Sequence, residues 1–211
     1  MNIFKGMIAL LVALSVTGCQ SNKERVDPAA RATVKKVAIV ASEQLPEEIF
    51  YTGSEHAFSA ALGGVVGALI AQGASTTSEK IDMQLKKSVD MPSIYKAQFV
   101  EAFIKNNPNN LKVVVEAEAD AVITLVITRY GFGKANAFAS TLRPLVIGGI
   151  TMRTKSGDIV WRDGASVSPL NSKVYGTDIE SYFSDPTNFE KSLSSAFKSI
   201  SEELVQNLNK T

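Results

Sequence analysis

ADAVITLVITRYGFG, residues 119–133, is the stretch on which the fold turns. Apolar side chains occupy both alternating positions across 122–127, the pattern of a central strand covered on both faces. Upstream of it, LKVVVEA (111–117) is a second β-rich run, and downstream LVIGGITMRT (145–154) is a third. The third joins IVWRDGASV (159–167) through Lys155-Ser156-Gly157-Asp158, a hairpin signal because Gly157 can take φ > 0 at the turn. Trp161 reads as a core or edge aromatic rather than a ligand platform. Gly131-Phe132-Gly133-Lys134 lacks the full spacing of a phosphate loop and is expected to be the loop leaving the long strand.

Further out, VAIVA within 34–41 fits a short buried strand. Residues 43–53 read as a loop punctuated by Pro46 and Gly53. Ile81, Leu85 and Val89 fall on one face of a helix over 78–90. After Met91-Pro92-Ser93, Ile94, Ala97, Glu101 and Ile104 mark a second helix, whose apolar face Phe99 and Phe103 widen. The run NNPNN (106–110) stops it, since Pro108 cannot continue a helix. At the carboxyl end Asp185-Pro186 opens a third helix, with Thr187 and Glu190 at capping-box spacing. Phe189, Leu193, Phe197, Ile200, Leu204 and Leu208 then form one apolar stripe. This order predicts an α+β domain over 34–211, a mixed or antiparallel sheet of about four to five strands with helices packed on one face.

The amino terminus is of a different kind. An apolar run, 7–16, follows Lys5 and is shorter than the roughly twenty residues of a spanning helix. It ends in Val16-Thr17-Gly18-Cys19, which resembles the lipobox of bacterial lipoprotein precursors. The resemblance implies a signal peptide over 1–18, cleavage between Gly18 and Cys19, and a diacylglyceryl group and an N-acyl chain on Cys19. No other cofactor is expected. Two or three acyl chains give stable anchoring, each buried methylene contributing about 0.8 kcal/mol. Gln20 stands where inner-membrane lipoproteins often carry Asp, so the resemblance favours the outer membrane with a periplasmic body. The polar residues 19–33 read as a flexible tether. Cys19 is the only cysteine, so the fold has no internal disulfide to rely on.

Charge is balanced: without Lys5 the 22 basic side chains fall to match the 21 acidic ones. No basic excess points to nucleic acid. His56 is the only histidine, so a catalytic triad or multi-histidine metal site has one member at most. With Ser54 and Glu55 it reads as a polar cluster at a helix start. Glu47-Glu48 and Glu202-Glu203 are adjacent pairs that point apart. Glu116, Glu118 and Asp120 alternate and could share a strand face as oxygen ligands, but nothing completes a shell. No catalytic residue and no metal site is expected.

One uncharged stretch remains, AFSAALGGVVGALIAQGAS (57–75). Gly63, Gly67 and Ala71 are spaced by four, and Ala60, Gly64 and Ala68 run beside them. Small residues at that spacing let helix backbones approach closely. The apolar part, 57–71, would be roughly 22 Å long as a helix, short of a bilayer core. Three readings stand: a helix on the protein's own sheet, a helix pairing between subunits or dipping into the membrane, or a mobile loop.

The body also resembles a recurrent pattern in periplasmic lipoproteins, carried by Ala119-Asp120-Ala121 before a buried strand and by the hairpin TKSGDIVW (154–161). Members include α/β domains of the TolB amino-terminal, CsgG and PelC type, and the likeness spans about 34–167 by element order. The expectation is a lipoprotein that works by binding, as an accessory or assembly component of an envelope or export system. Its partners would be the membrane through the anchor and an envelope protein or further copies of itself. The alternatives are an envelope hydrolase or metal-dependent enzyme, and a subunit of an oligomeric outer-membrane pore.

Overall fold

The structure, a computed structural model, describes residues 28–52, 77–106, 108–136 and 138–210. In chain order they form α1 (Pro28–Thr33), β1 (Lys36–Ala41), β2 (Phe50–Thr52), α2 (Thr77–Ser88), α3 (Met91–Asn106), β3 (Lys112–Val113), β4 (Ala121–Lys134), β5 (Leu142–Thr154), β6 (Ile159–Val167), α4 (Ile179–Ser184) and α5 (Thr187–Lys210). The strands make one mixed sheet in the order β3-β1-β4-β5-β6, with β2 beside the far end of β4. β1 runs parallel to β3 and β4, β2 runs parallel to β4, and β4, β5 and β6 form an antiparallel meander. The chain is therefore α+β, a mixed sheet with helices packed against it. No described helix is long and apolar enough to cross a membrane.

Alternation decides what each strand buries. Ile123, Leu125 and Ile127 of β4 point to the same side as their β5 partners Met152, Ile150 and Gly148, and these residues are buried. α5 closes this face. Phe189, Leu193, Phe197, Ile200, Leu204 and Leu208 are all fully buried, as the stripe predicts. α3 packs beside it, with the Tyr95 ring stacked on Phe197 at 5.0 Å between centroids. The opposite side of β4, Val122, Thr124 and Val126, is only half-buried. The sequence pattern predicts a strand covered on both faces; among the described residues, helices cover one.

Several elements differ from expectation. The loop expected over 43–53 contains β2, whose residues pair with Gly131, Phe132 and Gly133 where β1 has already ended. The run 111–117 contributes only the two paired residues of β3, because it lies on the sheet edge opposite the opening residues of β1. Beyond it the chain folds into a 3-10 turn, Glu116–Glu118, and Val115 is 65% exposed. In α3 the buried face is Met91, Tyr95, Phe99, Ala102 and Phe103, while Ile104 is 64% exposed. The aromatic rings carry more apolar area than Ile104, so they set the rotation of the helix.

Helix ends follow local chemistry. α5 is capped by Asp185, whose carboxylate accepts from the Thr187 N–H (3.1 Å) and hydroxyl (2.6 Å); Thr187 is a helical residue and not the cap. α4, which sequence periodicity did not indicate, starts at Asp178, which accepts from the Ser181 N–H at 2.8 Å. It places Tyr182 against Phe132 and Phe189. α3 is stopped at the expected asparagines, and Asn109 and Asn110 both take positive φ. Gly157 does the same, at φ 92°, in the β5–β6 turn. α1 lies in the stretch read as tether, and its Arg31 donates to the Leu208 carbonyl at 2.7 Å.

Two polar atoms in this core, the Tyr95 hydroxyl and the Ser201 hydroxyl, find no hydrogen-bond partner among the described residues. Burial also pushes the phenol of Tyr182 up to about 12 and those of Tyr95 and Tyr130 higher still. An unfolded tyrosine ionises near 10, so the stability these rings contribute is complete below about pH 10 and is lost as pH rises through the folded values. Urea midpoints measured against pH should therefore hold to about pH 10 and fall beyond it. Tyr95→Phe should raise stability by about 1 kcal/mol at neutral pH, by removing an unpaired buried hydroxyl. It should also soften the alkaline fall.

Candidate interaction surface

The acidic trio does not assemble. Glu116 and Glu118 sit exposed in the 3-10 turn instead of alternating along a strand. Asp120 is committed to structure: its carboxylate accepts the N–H groups of Lys35 (2.9 Å) and Lys36 (2.8 Å), tying the start of β1 to the approach of β4. Those two bonds, with Lys36 and Lys155 nearby, hold its carboxyl below the usual carboxylate range. Among the described residues no group of three or more His, Cys, Asp or Glu is placed to hold a metal ion.

Gly131-Phe132-Gly133-Lys134 is not the loop leaving β4 but its last four residues. The glycine at 131 has a steric reason, because a Cβ there would run into the backbone carbonyl of Phe50 in β2. Trp161 is buried beside α5's face of the sheet, as a core aromatic. Gly18, Cys19, Ser54, Glu55, His56 and the ladder Ala60, Gly63, Gly64, Gly67, Ala68 and Ala71 lie outside the described residues.

Two surfaces stand out among the described residues. One is a cleft of about 840 Å³ at the carboxyl end of β1, walled by Val40, Leu45, Val89, Asp90 and the lysines 86, 87 and 96. Two of its charges are answered from within. Lys86 pairs with Asp82 at 2.7 Å, and Asp90 caps α3 by accepting the Ser93 N–H at 3.1 Å. Glu43 adds a second acid to the wall.

The other is the face of the sheet that the described helices leave open. Its centre is aliphatic: Val40 from β1, Val122 and Val126 from β4, Leu145 and Ile147 from β5, all half-buried. Around them stand Lys36, Lys112, Arg129, Arg153 and Arg162, each exposed. The register puts them there: Lys36 pairs with Lys112, Arg153 with Val122, and Arg129 with Ile147. A bulge between Ile127 and Arg129 resets the alternation so that Arg129 joins this side. The guanidinium of Arg129 lies 5.8 Å from the Phe50 ring centroid. Asp163 is the only acid in the six strands, and it points the other way, accepting from Asn207 of α5 at 2.9 Å.

A face of one sign is hidden in a chain whose total charge is near zero. Sequence reading missed it because strand register, not composition, gathers these residues. The available signal was the strands' near-lack of acids.

No protein-family model and no curated protein matches the chain. Among solved structures, the chain is similar to protein XCC0632 from Xanthomonas campestris at 14% identity and TM-score 0.39, covering 84% of this chain and 89% of that one. A minor lipoprotein from Acinetobacter baumannii aligns at 8% identity and TM-score 0.38, over 83% and 88% of the two chains. The PelC dodecamer from Paraburkholderia phytofirmans aligns at 12% identity and TM-score 0.33, over 83% and 86%. At these scores the likenesses are distant, and no function is carried over from them.

Proposed function

We propose that this chain is a lipoprotein anchored through Cys19 to the outer membrane, facing the periplasm, and that its α+β body works by binding as an accessory or assembly component of an envelope system. The observation that carries this reading is Val16-Thr17-Gly18-Cys19 directly after a short apolar run. The acids singled out as metal-ligand candidates do not converge: Glu116 and Glu118 are exposed in a 3-10 turn, and Asp120 ties β1 to the approach of β4. The mechanism is positional. An anchored domain is confined near the membrane surface, which raises its effective concentration for neighbours there.

Cys19→Ala tests it. With the acyl chains gone, the protein is expected to move from the salt-washed membrane fraction to the soluble one, where immunoblotting would follow it. Retention in the membrane after salt washing would sink the anchor. A second reading, a subunit of a homo-oligomer or pore, rests on the Gly63 and Gly67 spacing. It requires that light scattering of the purified protein show a defined oligomer, and that Gly63→Leu with Gly67→Leu reduce it to a folded monomer.

A further inference from the structure

We infer that the open sheet face docks on anionic phospholipid headgroups, laying the domain against the membrane that holds its anchor. The inference rests on the anchor reading and deepens it. The face has the composition such contact needs, with an aliphatic centre of Val122, Val126 and Ile147 and basic groups, Lys36, Arg129 and Arg153, around it. The strands place no acid on that side, because Asp163 is turned towards α5. Asp120 lies beside Lys36 at the margin of the face, and its carboxylate already accepts two backbone N–H groups.

Charge also chooses between occupants. A second copy of the chain would set basic groups against basic groups, which opposes pairing through this face. An anionic leaflet attracts each Lys or Arg brought near it, within a Debye length of about 8–10 Å. Chain length brings the face within range. From Cys19 to Pro28 the chain reaches about 30 Å when fully extended. α1 then packs against β6, an edge strand of the same sheet, with Arg31 bonded to the Leu208 carbonyl of α5, so the tether joins the domain at this edge on the helix-covered side and rounds β6 to bring the open face to the membrane.

The test uses the purified lipidated protein in phosphatidylcholine vesicles with and without phosphatidylglycerol. Acylation blocks the sulfur of Cys19, so Thr124→Cys offers a single thiol for an environment-sensitive probe at the centre of the face. Lys198→Cys on the exposed side of α5 is the control. With phosphatidylglycerol present, the Thr124 probe should shift to the blue and be quenched by bilayer-borne quenchers, and the Lys198 probe should not. Raising salt should reverse the shift in the unsubstituted background. Lys36→Glu, Arg129→Glu and Arg153→Glu together should lower the docked fraction by about tenfold or more.

A Thr124 probe that stays in water on anionic vesicles overturns the proposal. So does one shielded equally in detergent, which means the chain covers its own face, or one shielded only in native membranes, which means an acidic protein does. Failure of the anchor itself would show differently. Cys19 would then take label and the protein would leave neutral vesicles, while the response of the Thr124 probe to phosphatidylglycerol would still decide the face.

Discussion

Phe197→Ala is expected to lower the stability of the domain by about 3–5 kcal/mol, the cost of emptying a fully buried aromatic site. Phe197 has no exposure, lies in the middle of the α5 stripe, and stacks on Tyr95 of α3. Its ring therefore joins the two helices that close the core as well as packing on the sheet. Neighbouring aromatics are poorly placed to fill the space, since Phe99 and Phe103 are turned to each other at 5.9 Å. Against a typical total of about 5–15 kcal/mol the loss is large. Phe138, at 99% exposure in the β4–β5 loop, supplies the contrast, and Phe138→Ala should be nearly neutral. Urea unfolding followed by circular dichroism checks both. A midpoint for Phe197→Ala close to that of Phe138→Ala would mean that α3 and α5 do not meet as described.

Gly131→Val should cost about 3 kcal/mol, at the upper end of single substitutions, for a reason that has nothing to do with cavities. Its Cβ would overlap the Phe50 carbonyl, which is backbone and cannot rotate away. β2 would have to leave β4, losing its pairing at Phe50, Tyr51 and Thr52 and the contact of Arg129 with the Phe50 ring. Glycine in a strand often marks such a close approach of another backbone. Gly149 in β5 is the control: the nearest atom to a Cβ there is the Asp163 carbonyl oxygen at 3.5 Å, an ordinary contact. Gly149→Ala should leave the midpoint little changed. If the two substitutions behaved alike, β2 would not lie where the structure puts it. Hydrogen exchange of the residue 50–52 amides would show directly whether the substitution at Gly131 frees the strand.

What could be read from the chain and what could not divide along physical lines. The α5 stripe was legible because an amphipathic helix states its buried face in its own spacing, and each stripe residue from Phe189 to Leu208 is buried. The β5–β6 hairpin was legible because Gly157 supplies the φ its turn needs. The face of α3 was not, because Ile94 and Ile104 fit a helical period as well as Tyr95 and Phe99 do, and only the docking of Tyr95 on Phe197 decides between them. β2 was not, since three residues carry no periodicity and are held by a partner some eighty positions away. The basic face was the least legible of all. Lys36, Lys112, Arg129 and Arg153 are scattered in sequence and are gathered only by parallel and antiparallel register and one bulge.

The anchor stands on local sequence chemistry, and everything proposed about location depends on it. The most direct test is mass spectrometry of the amino-terminal peptide of the mature protein purified from membranes. The account predicts a chain that begins at Cys19, with a diacylglyceryl thioether on its sulfur and an acyl chain on its amine. A chain that begins elsewhere, or a Cys19 with a free thiol, would contradict it.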